Sequence, residues 1–493
     1  MDAQPSSPSA RAYPRFIKAL DRLRDDLRRQ LGDRVRSEAL ELALYARDAG
    51  LSGGHASAIC FPRDANDIAA AVRLCRRHGV PFVARGSGTG LAGGATPLDD
   101  ALVIVTTQMN EIVEVDAAQR RAWVEPGVLN LDLTRAVTHL GLHYAPDPSS
   151  QQACSIGGNV GTNAGGPHCL ASGTTTAHVL GVEVVLPTGD ITTFGGDLPD
   201  QPGYDLRGLF VGSEGTLGIT TKVLVRLQPN PPVVRTLLLD FVAIDDAAAT
   251  VSAIIAAGIL PAALEMMDAQ ITRAVEDFVG AGYPRDADAV LLVEIDGLSD
   301  GVAAQVAAVE RIGLEHGARS VRVARDEAER QLLWKGRKSA FGAIARIAPD
   351  YYLHDAVVPR TKLVDVLRTI YAIAQRLDLT MMNVFHAGDG NLHPLIVFDN
   401  RVPGTWERVH AAGTEILETC LDAGGVLSGE HGIGIEKRDL MGRFFTSDDL
   451  AAQGRIVDAF DPDGIANPHK VLPAGSRCGE VGRRSRAPEG TWI

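Results

Sequence analysis

The sequence predicts an α+β protein with two principal domains, and three observations lead there. At 493 residues the chain outgrows a single hydrophobic core, so on the order of two or three domains are expected. Pro229-Asn-Pro-Pro232 ends an apolar strand with adjacent prolines, which remove ladder donors and open a new region. Beyond it, strand and helix periods follow one another in the mixed order of an α+β layer.

Tyr13–Leu31 has the period of an amphipathic, charged helix. Asp64–His78 reads as a second helix: Asp64 or Asn66 can cap it, Ile68, Ala71, Val72 and Cys75 share one face, and Gly79 ends it. Strands are expected over 80–84, 102–106, 112–116 and 122–124, then a helix over 130–140 and strands over 182–186 and 223–227. In the second half, helices are predicted over 245–257, 299–316, 327–346, 361–377 and 405–423, with strands over 290–296, 320–324 and 352–358 between them. Another helix starts after Ser447, and the chain beyond Leu472 reads as a disordered tail.

Composition excludes several classes of function. A hydrophobic content of 45% with 22% charged residues describes a globular protein. The net charge of −13 is spread along the chain, which argues against a nucleic-acid or anionic-membrane surface. No window approaches a membrane span, and the polar start lacks the apolar core of a signal peptide. The six cysteines are scattered without paired spacing. That fits reduced thiols in a cytoplasm and indicates neither an iron–sulfur cluster nor a Cys-based zinc site.

The 52 glycines cluster at 86–94, 157–166, 212–218, 388–390 and 424–434. Clustered glycine means backbone held at positive φ or brought close to something. Gly88-Thr-Gly90-Leu-Ala-Gly93 follows a strand and matches the dinucleotide fingerprint, but Gly94-Ala-Thr-Pro is turn-like where a Rossmann site opens a helix. NAD is therefore disfavoured. A loop of backbone N–H groups beside Arg85 can still cradle phosphates, and the run 155–166 adds a second small-residue segment. Two such runs suit a groove for a long phosphorylated cofactor.

A further motif is Asn383-Val-Phe-His-Ala-Gly-Asp-Gly-Asn-Leu-His393. Asp389-Gly390 is a hairpin signal because both central turn positions need positive φ. A turn centred there sets His386 opposite His393, with Cβ atoms roughly 5 Å apart, a spacing at which two nitrogens can bind one metal ion. Ser428-Gly-Glu-His-Gly-Ile-Gly434 offers Glu430 and His431 in a glycine-rich turn. Taken singly, each histidine is ordinarily a core or surface residue. The hairpin symmetry and a third ligand together favour a divalent metal, zinc by its ligand set.

These segments carry a specific resemblance. Pro81–Gly94 resembles the pyrophosphate loop of the FAD proteins of the vanillyl-alcohol-oxidase type. Pro146-Asp-Pro-Ser-Ser, the 155–166 run and Gly212-Ser-Glu-Gly-Thr-Leu-Gly-Ile219 are similar to the rest of that FAD site. His386–His393, Ser428–Gly434 and Asn467-Pro-His-Lys470 resemble the branch that holds the glycolate oxidase flavin subunit, D-lactate dehydrogenase and D-2-hydroxyglutarate dehydrogenase. The likeness spans residues 50–473 or so. It implies a helical segment over 1–50, an FAD-binding domain over 51–230, a substrate cap over 231–440, and a segment over 441–473 returning to the FAD domain, with the tail 474–493 outside.

Carried over residue by residue, Arg85, Gly86, Ser87, Gly88, Thr89 and Gly90 would hold the pyrophosphate. Pro146, Ser155, Gly158, Asn159, Gly161, Thr162 and Asn163, with Glu214, Gly218 and Ile219, would line the flavin and adenosine. Asn467 would approach the flavin ring. Some relatives tether FAD through a His that aligns with Thr89, so non-covalent FAD is expected. His386, His393 and Glu430 would bind the metal, and His431 would take the substrate hydroxyl proton, a role suited to imidazole. Arg337 matches the relatives' carboxylate-binding Arg; a solvated helix charge beside Lys335 and Lys338 is its other reading.

The resemblance implies oxidation of a 2-hydroxy acid to the 2-oxo acid, with a quinone, an electron-transfer protein or oxygen as acceptor. Beside D-2-hydroxyglutarate dehydrogenase activity, two alternatives stay open. A metal hydrolase could use the His and Glu residues but leaves the glycine-rich half unexplained. A flavin subunit active only beside an iron–sulfur partner is the other, with any membrane association made through partners. Relatives acting on D-2-hydroxyglutarate add a Thr and a Lys for the second carboxylate where Phe341 and Leu353 stand here, and Leu395 replaces a common Asn. A buried unpaired charge is costly, so a monocarboxylate such as D-lactate or glycolate is expected. Steady-state assays with D-2-hydroxyglutarate should show negligible turnover at low concentration; measurable turnover contradicts this reading.

Overall fold

The computed structural model describes residues 13–198 and 202–474. The predicted tail and the first twelve residues lie outside the described part, apart from Ala474.

Leu20, Leu23, Leu27 and Leu31 recur at helical spacing along Tyr13–Leu31 and are all buried. They pack on the helix Ala65–His78, which Asp64 caps by accepting from Asp67 N–H, and which Gly79 ends in the left-handed conformation. Both helices cover a four-stranded sheet ordered Val35–Arg36, Ala56–Cys60, Ala101–Val105, Phe82–Arg85, parallel except for its first strand. The N-terminal segment thus supplies an edge strand as well as a helix. Phe82 also pairs with Ala466, which ties the C-terminal segment to this sheet's far edge.

A second, antiparallel sheet is ordered Ile112–Asp116, Arg121–Val124, Ile219–Arg226, Val179–Val185, Ile191–Gly195. After the proline break, seven antiparallel strands form the third sheet: Ala318–Val323, Val233–Phe241, Ala289–Gly297, Ala263–Asp268, Thr380–Phe385, Pro394–Phe398 and Asp350–Leu353. Its alternation is legible in the packing. Leu237, Leu239, Phe241, Leu291, Val293 and Ile295 face one core, and Leu238, Val290 and Leu292 face another. Helices cover both faces, which explains the apolar run 289–293.

Three differences from expectation have physical causes. The helix expected over 327–346 breaks at Ser339 into Glu327–Lys338 and Ala340–Ile344. The strand Ala263–Asp268 is unexpected because Glu265 and Asp268 interrupt its apolar pattern, yet all six residues are buried. The hairpin register differs by two residues: Asn383 pairs with Pro394 and His386 with Asn391. The loop is therefore Ala387–Gly390, and of its residues only Gly390 has positive φ, at +74°. A two-residue shift keeps side chains on the same face. His386 and His393 accordingly remain neighbours, as a diagonal pair rather than a facing one.

The first two sheets meet the third through a charged latch. His168 sits between Asp147, 2.9 Å away, and Glu294 of the third sheet, 3.2 Å away, and stacks on Trp334 at 5.6 Å between centroids. Lys338 adds a bridge to Asp147 at 3.3 Å, and Arg330 one to Glu294 at 3.0 Å. Burial disfavours the charge on His168, but the two carboxylates outweigh it and raise its pKa from 6.5 to about 10. The same contacts hold Asp147 and Glu294 down at about 2 against the penalty of burial.

A raised histidine stabilises fully below its unfolded value and loses that contribution as pH rises through the folded one. The lowered carboxylates contribute above their unfolded values and fail only near pH 2. Thermal unfolding should therefore show the latch at full strength between about pH 4.5 and 6.5, weakening toward pH 10. His168→Gln should flatten that decline; an unchanged slope would assign it to other groups.

Candidate active site

Between the glycine-rich loops and the third sheet lies a cavity of about 530 Å³. Fourteen of the seventeen sequence-predicted cofactor residues line it: 85–90, Ser155, Gly158, Asn159, Gly161, Thr162, Glu214, Gly218 and Ile219. Pro146, Asn163 and Asn467 stand behind the wall. The Pro146 carbonyl accepts from Asn130, and Asn163 turns the chain at positive φ while accepting from Thr176 N–H. Asn467 donates to the carbonyls of Gly94 and Glu214 at 2.8 and 2.6 Å, clamping two loops from the rear.

Local chemistry explains the loop shape. None of residues 86–100 is helical, so the loop after Phe82–Arg85 is no Rossmann turn. A Cβ on Gly86 would collide with Ser155 Oγ, which forces the two glycine runs into contact. Arg85 does more than face a ligand: it donates to the Arg47 carbonyl at 2.9 Å and lies 5.3 Å from the Tyr45 ring centroid. Ser155 Oγ and Glu214 Oε2 are buried without partners at this wall. An elongated glycine-lined groove with orphaned polar atoms fits FAD.

At the other end of the cavity, Glu430 Oε1 lies 3.3 Å from His386 Nε2, 3.0 Å from His393 Nε2 and 3.7 Å from His431 Nε2. The His386 and His393 rings stand nearly perpendicular with centroids 5.1 Å apart, whereas His393 and His431 stack at 5.2 Å. One ligand atom each from His386, His393 and Glu430 falls within 4.8 Å of the others. Two imidazoles and a carboxylate converging this closely fit a divalent ion with an open coordination position. Asp355, His393 and His431 form a second such group, but Asp355 is already saturated by donors.

Electrostatics separates the histidines. Burial lowers the His431 pKa to about 4, with Asp355 opposing and His393 reinforcing the shift. His431 is thus neutral near pH 7. Burial also opposes charge on His386, but Glu265 and Glu430 overcome it and raise its pKa to about 10. Burial penalises the Glu430 carboxylate, yet its histidine partners hold it well below the usual carboxylate range.

Arg337 comes to the same cavity from the helix Glu327–Lys338, and it is buried rather than solvated. Its Nη2 lies 2.5 Å from Glu265, while its Nε is buried and unpartnered. A buried guanidinium N–H without a partner, on a residue that lines the cavity, has capacity for an anionic acceptor. Phe341, Tyr351 and Val384 supply apolar wall nearby, whereas Leu353 and Leu395 belong to the core behind. Lys338 also faces the cavity, but Asp147 already pairs with it.

A family model described as "FAD binding domain" matches residues 56–195, and one described as "FAD linked oxidases, C-terminal domain" matches 230–471. The glycolate oxidase subunit GlcD of Escherichia coli K12 is 50% identical over 86% of this chain and 85% of its own length. This chain belongs to the FAD-linked oxidases. GlcD of Bacillus subtilis 168 is 43% identical over 87% of this chain and 91% of the relative. The D-lactate dehydrogenase of Anaerostipes hadrus is 33% identical over 82% and 87%. The fold of this FAD-linked oxidase is of the vanillyl-alcohol-oxidase type. p-Cresol methylhydroxylase superposes with TM-score 0.78 at 18% identity, covering 93% of this chain and 97% of its own. The 4-ethylphenol oxidase from Gulosibacter chungangensis gives 0.76 at 19% identity, covering 95% and 99%.

Sequence reasoning missed two carboxylates that organise this oxidase. Glu265 holds both Arg337 and His386. Asp355 accepts from Ser428 Oγ at 2.6 Å and from the N–H groups of Gly429 and His431 at 3.0 Å, and pairs with buried Lys437 at 3.1 Å. The available signal was acidic residues inside otherwise apolar strand runs, which must be paired when buried. Asp355→Asn should lower unfolding stability by about 3–5 kcal/mol, because it leaves Lys437 as an uncompensated buried charge. Urea unfolding checks this; a loss under about 1 kcal/mol would show that the turn stands without the pair.

Proposed function

We propose that this FAD-linked oxidase oxidises a small 2-hydroxy monocarboxylate, of the D-lactate or glycolate type, to the 2-oxo acid. The observation that carries the reading is the buried, unpartnered Nε of Arg337 on one cavity wall with neutral His431 and the Glu430 cluster. The names of the glycolate oxidase subunits and the D-lactate dehydrogenase support it.

Arg337 would bind the substrate carboxylate, since its charge is balanced by Glu265 while Nε stays free. His431, held by Asp355 through its backbone N–H, would accept the hydroxyl proton. His386, His393 and Glu430 would hold a divalent ion, zinc by ligand type. When bound, FAD supplies a non-covalently held two-electron acceptor for the α-hydrogen, and the ion supplies positive charge beside the hydroxyl. Phe341, Tyr351 and Val384 would exclude water and a second carboxylate. The groups of the cavity wall thus divide into an anion-binding pole, a proton-accepting pole and an apolar side.

A second reading is favoured by the relatives named as glycolate oxidase subunits: the chain would pass its electrons to a partner, such as an iron–sulfur subunit. The reading also includes a cytoplasmic protein. No helix among the described residues is long and apolar enough to cross a membrane. Dye-linked activity of the purified chain alone would separate the readings; activity restored only by partner chains would favour the second.

Anaerobic titration of the purified protein with D-lactate should bleach the yellow flavin band. A flavin that stays oxidised with D-lactate and glycolate alike would refute the proposed substrate. His431→Gln should retain FAD and metal but reduce kcat by about 10²- to 10⁴-fold; a kcat near wild type would remove His431 from the proton-accepting role.

A further inference from the structure

Glu265 lies on the strand Ala263–Asp268, beside the hairpin strand Thr380–Phe385. It is buried and does not reach the cavity wall. Its carboxylate nevertheless touches two side chains that do different work. His386 Nδ1 lies 2.8 and 2.9 Å from its two oxygens, and Arg337 Nη2 lies 2.5 Å from Oε2. These partners arrive from separate elements, the hairpin loop and the helix Glu327–Lys338.

We propose that Glu265 is a positioning residue that couples the carboxylate-binding Arg337 to the metal-binding His386. The inference rests on the proposed function and assigns it a residue that never meets substrate. A carboxylate on His386 Nδ1–H fixes ring rotation, so Nε2 is aimed at the site it shares with Glu430. The same carboxylate takes Nη2 of the Arg337 guanidinium and leaves Nε, on a side chain that lines the cavity, without a partner. Simple charge compensation for a buried Arg337 would need only the second contact. The geometry instead shares one carboxylate between both groups, so moving it disturbs anion binding and metal binding together.

The test uses the full chain with FAD bound. Zinc affinity is read by chelator competition, and affinity for pyruvate, the unreactive 2-oxo product, by its perturbation of the flavin spectrum. Glu265→Gln should weaken zinc by about 10- to 100-fold and pyruvate by about 10-fold or more. Arg337→Met should weaken pyruvate alone, with zinc affinity within about twofold of wild type. Should Glu265→Gln fail to hold FAD, Glu265→Asp keeps the charge but shortens its reach, and the same paired losses are expected. Zinc affinity unchanged in the Glu265 variant, with wild type binding zinc normally, overturns the inference alone. Wild type that binds no zinc overturns the proposed metal set and the inference with it.

Discussion

Asp355 is a carboxylate without contact with water, and the turn that carries Glu430 and His431 is arranged around satisfying it. A buried charge is tolerated only when paired and hydrogen-bonded. Lys437 supplies the pair, while Ser428 and the N–H groups of 429–431 supply the rest. That one requirement folds Ser428–Gly434 into a tight turn. It also fixes where Glu430 and His431 emerge. Glu214, from the FAD-binding half, accepts from Ile433 and Gly434 N–H on the same turn. The turn is therefore held from both sides of the domain boundary.

The same logic of shared buried charge recurs across the site. Glu265 serves two cations, Glu430 faces three imidazoles, and His168 bridges a carboxylate on either side of the boundary. Each of these groups would be costly alone. Together they make a low-dielectric wall in which the protonation of His386 and His431 is set by burial and neighbours rather than by solvent. His386 and His431 illustrate the range, with pKa values of about 10 and about 4 inside one cluster.

The architecture separates cofactor chemistry from substrate chemistry. Glycine loops on the first two sheets make the elongated wall where side chains would obstruct a cofactor. The charged groups come from the other half: Glu265 from the seven-stranded sheet, Arg337 from the helix Glu327–Lys338, and Glu430 and His431 from the turn Ser428–Gly434. The two sets of residues meet along the seam, where both line one cavity. The C-terminal segment returns to the first sheet through Phe82 and Ala466, so the chain that follows the turn Ser428–Gly434 is anchored to the first sheet.

Much of this was legible locally. Glycine clusters announce close backbone approach whatever the fold, which is why fourteen of the seventeen positions named from sequence line one cavity. The Pro229–Pro232 break and the helical leucine spacing of Tyr13–Leu31 are likewise properties of short segments. The histidine pair survived an error of two residues in register because strand side chains repeat every second position. Tertiary structure alone decided the rest. Glu265 and Asp355 look like interruptions in apolar strands until distant Arg337, His386 and Lys437 are brought against them. The solvated or buried fate of Arg337 likewise depended on a partner 72 positions away along the chain. Sequence determined which groups were present and which faces they shared; only the folded chain decided which charges had to neutralise one another, because burial and pairing are properties of neighbours distant in sequence.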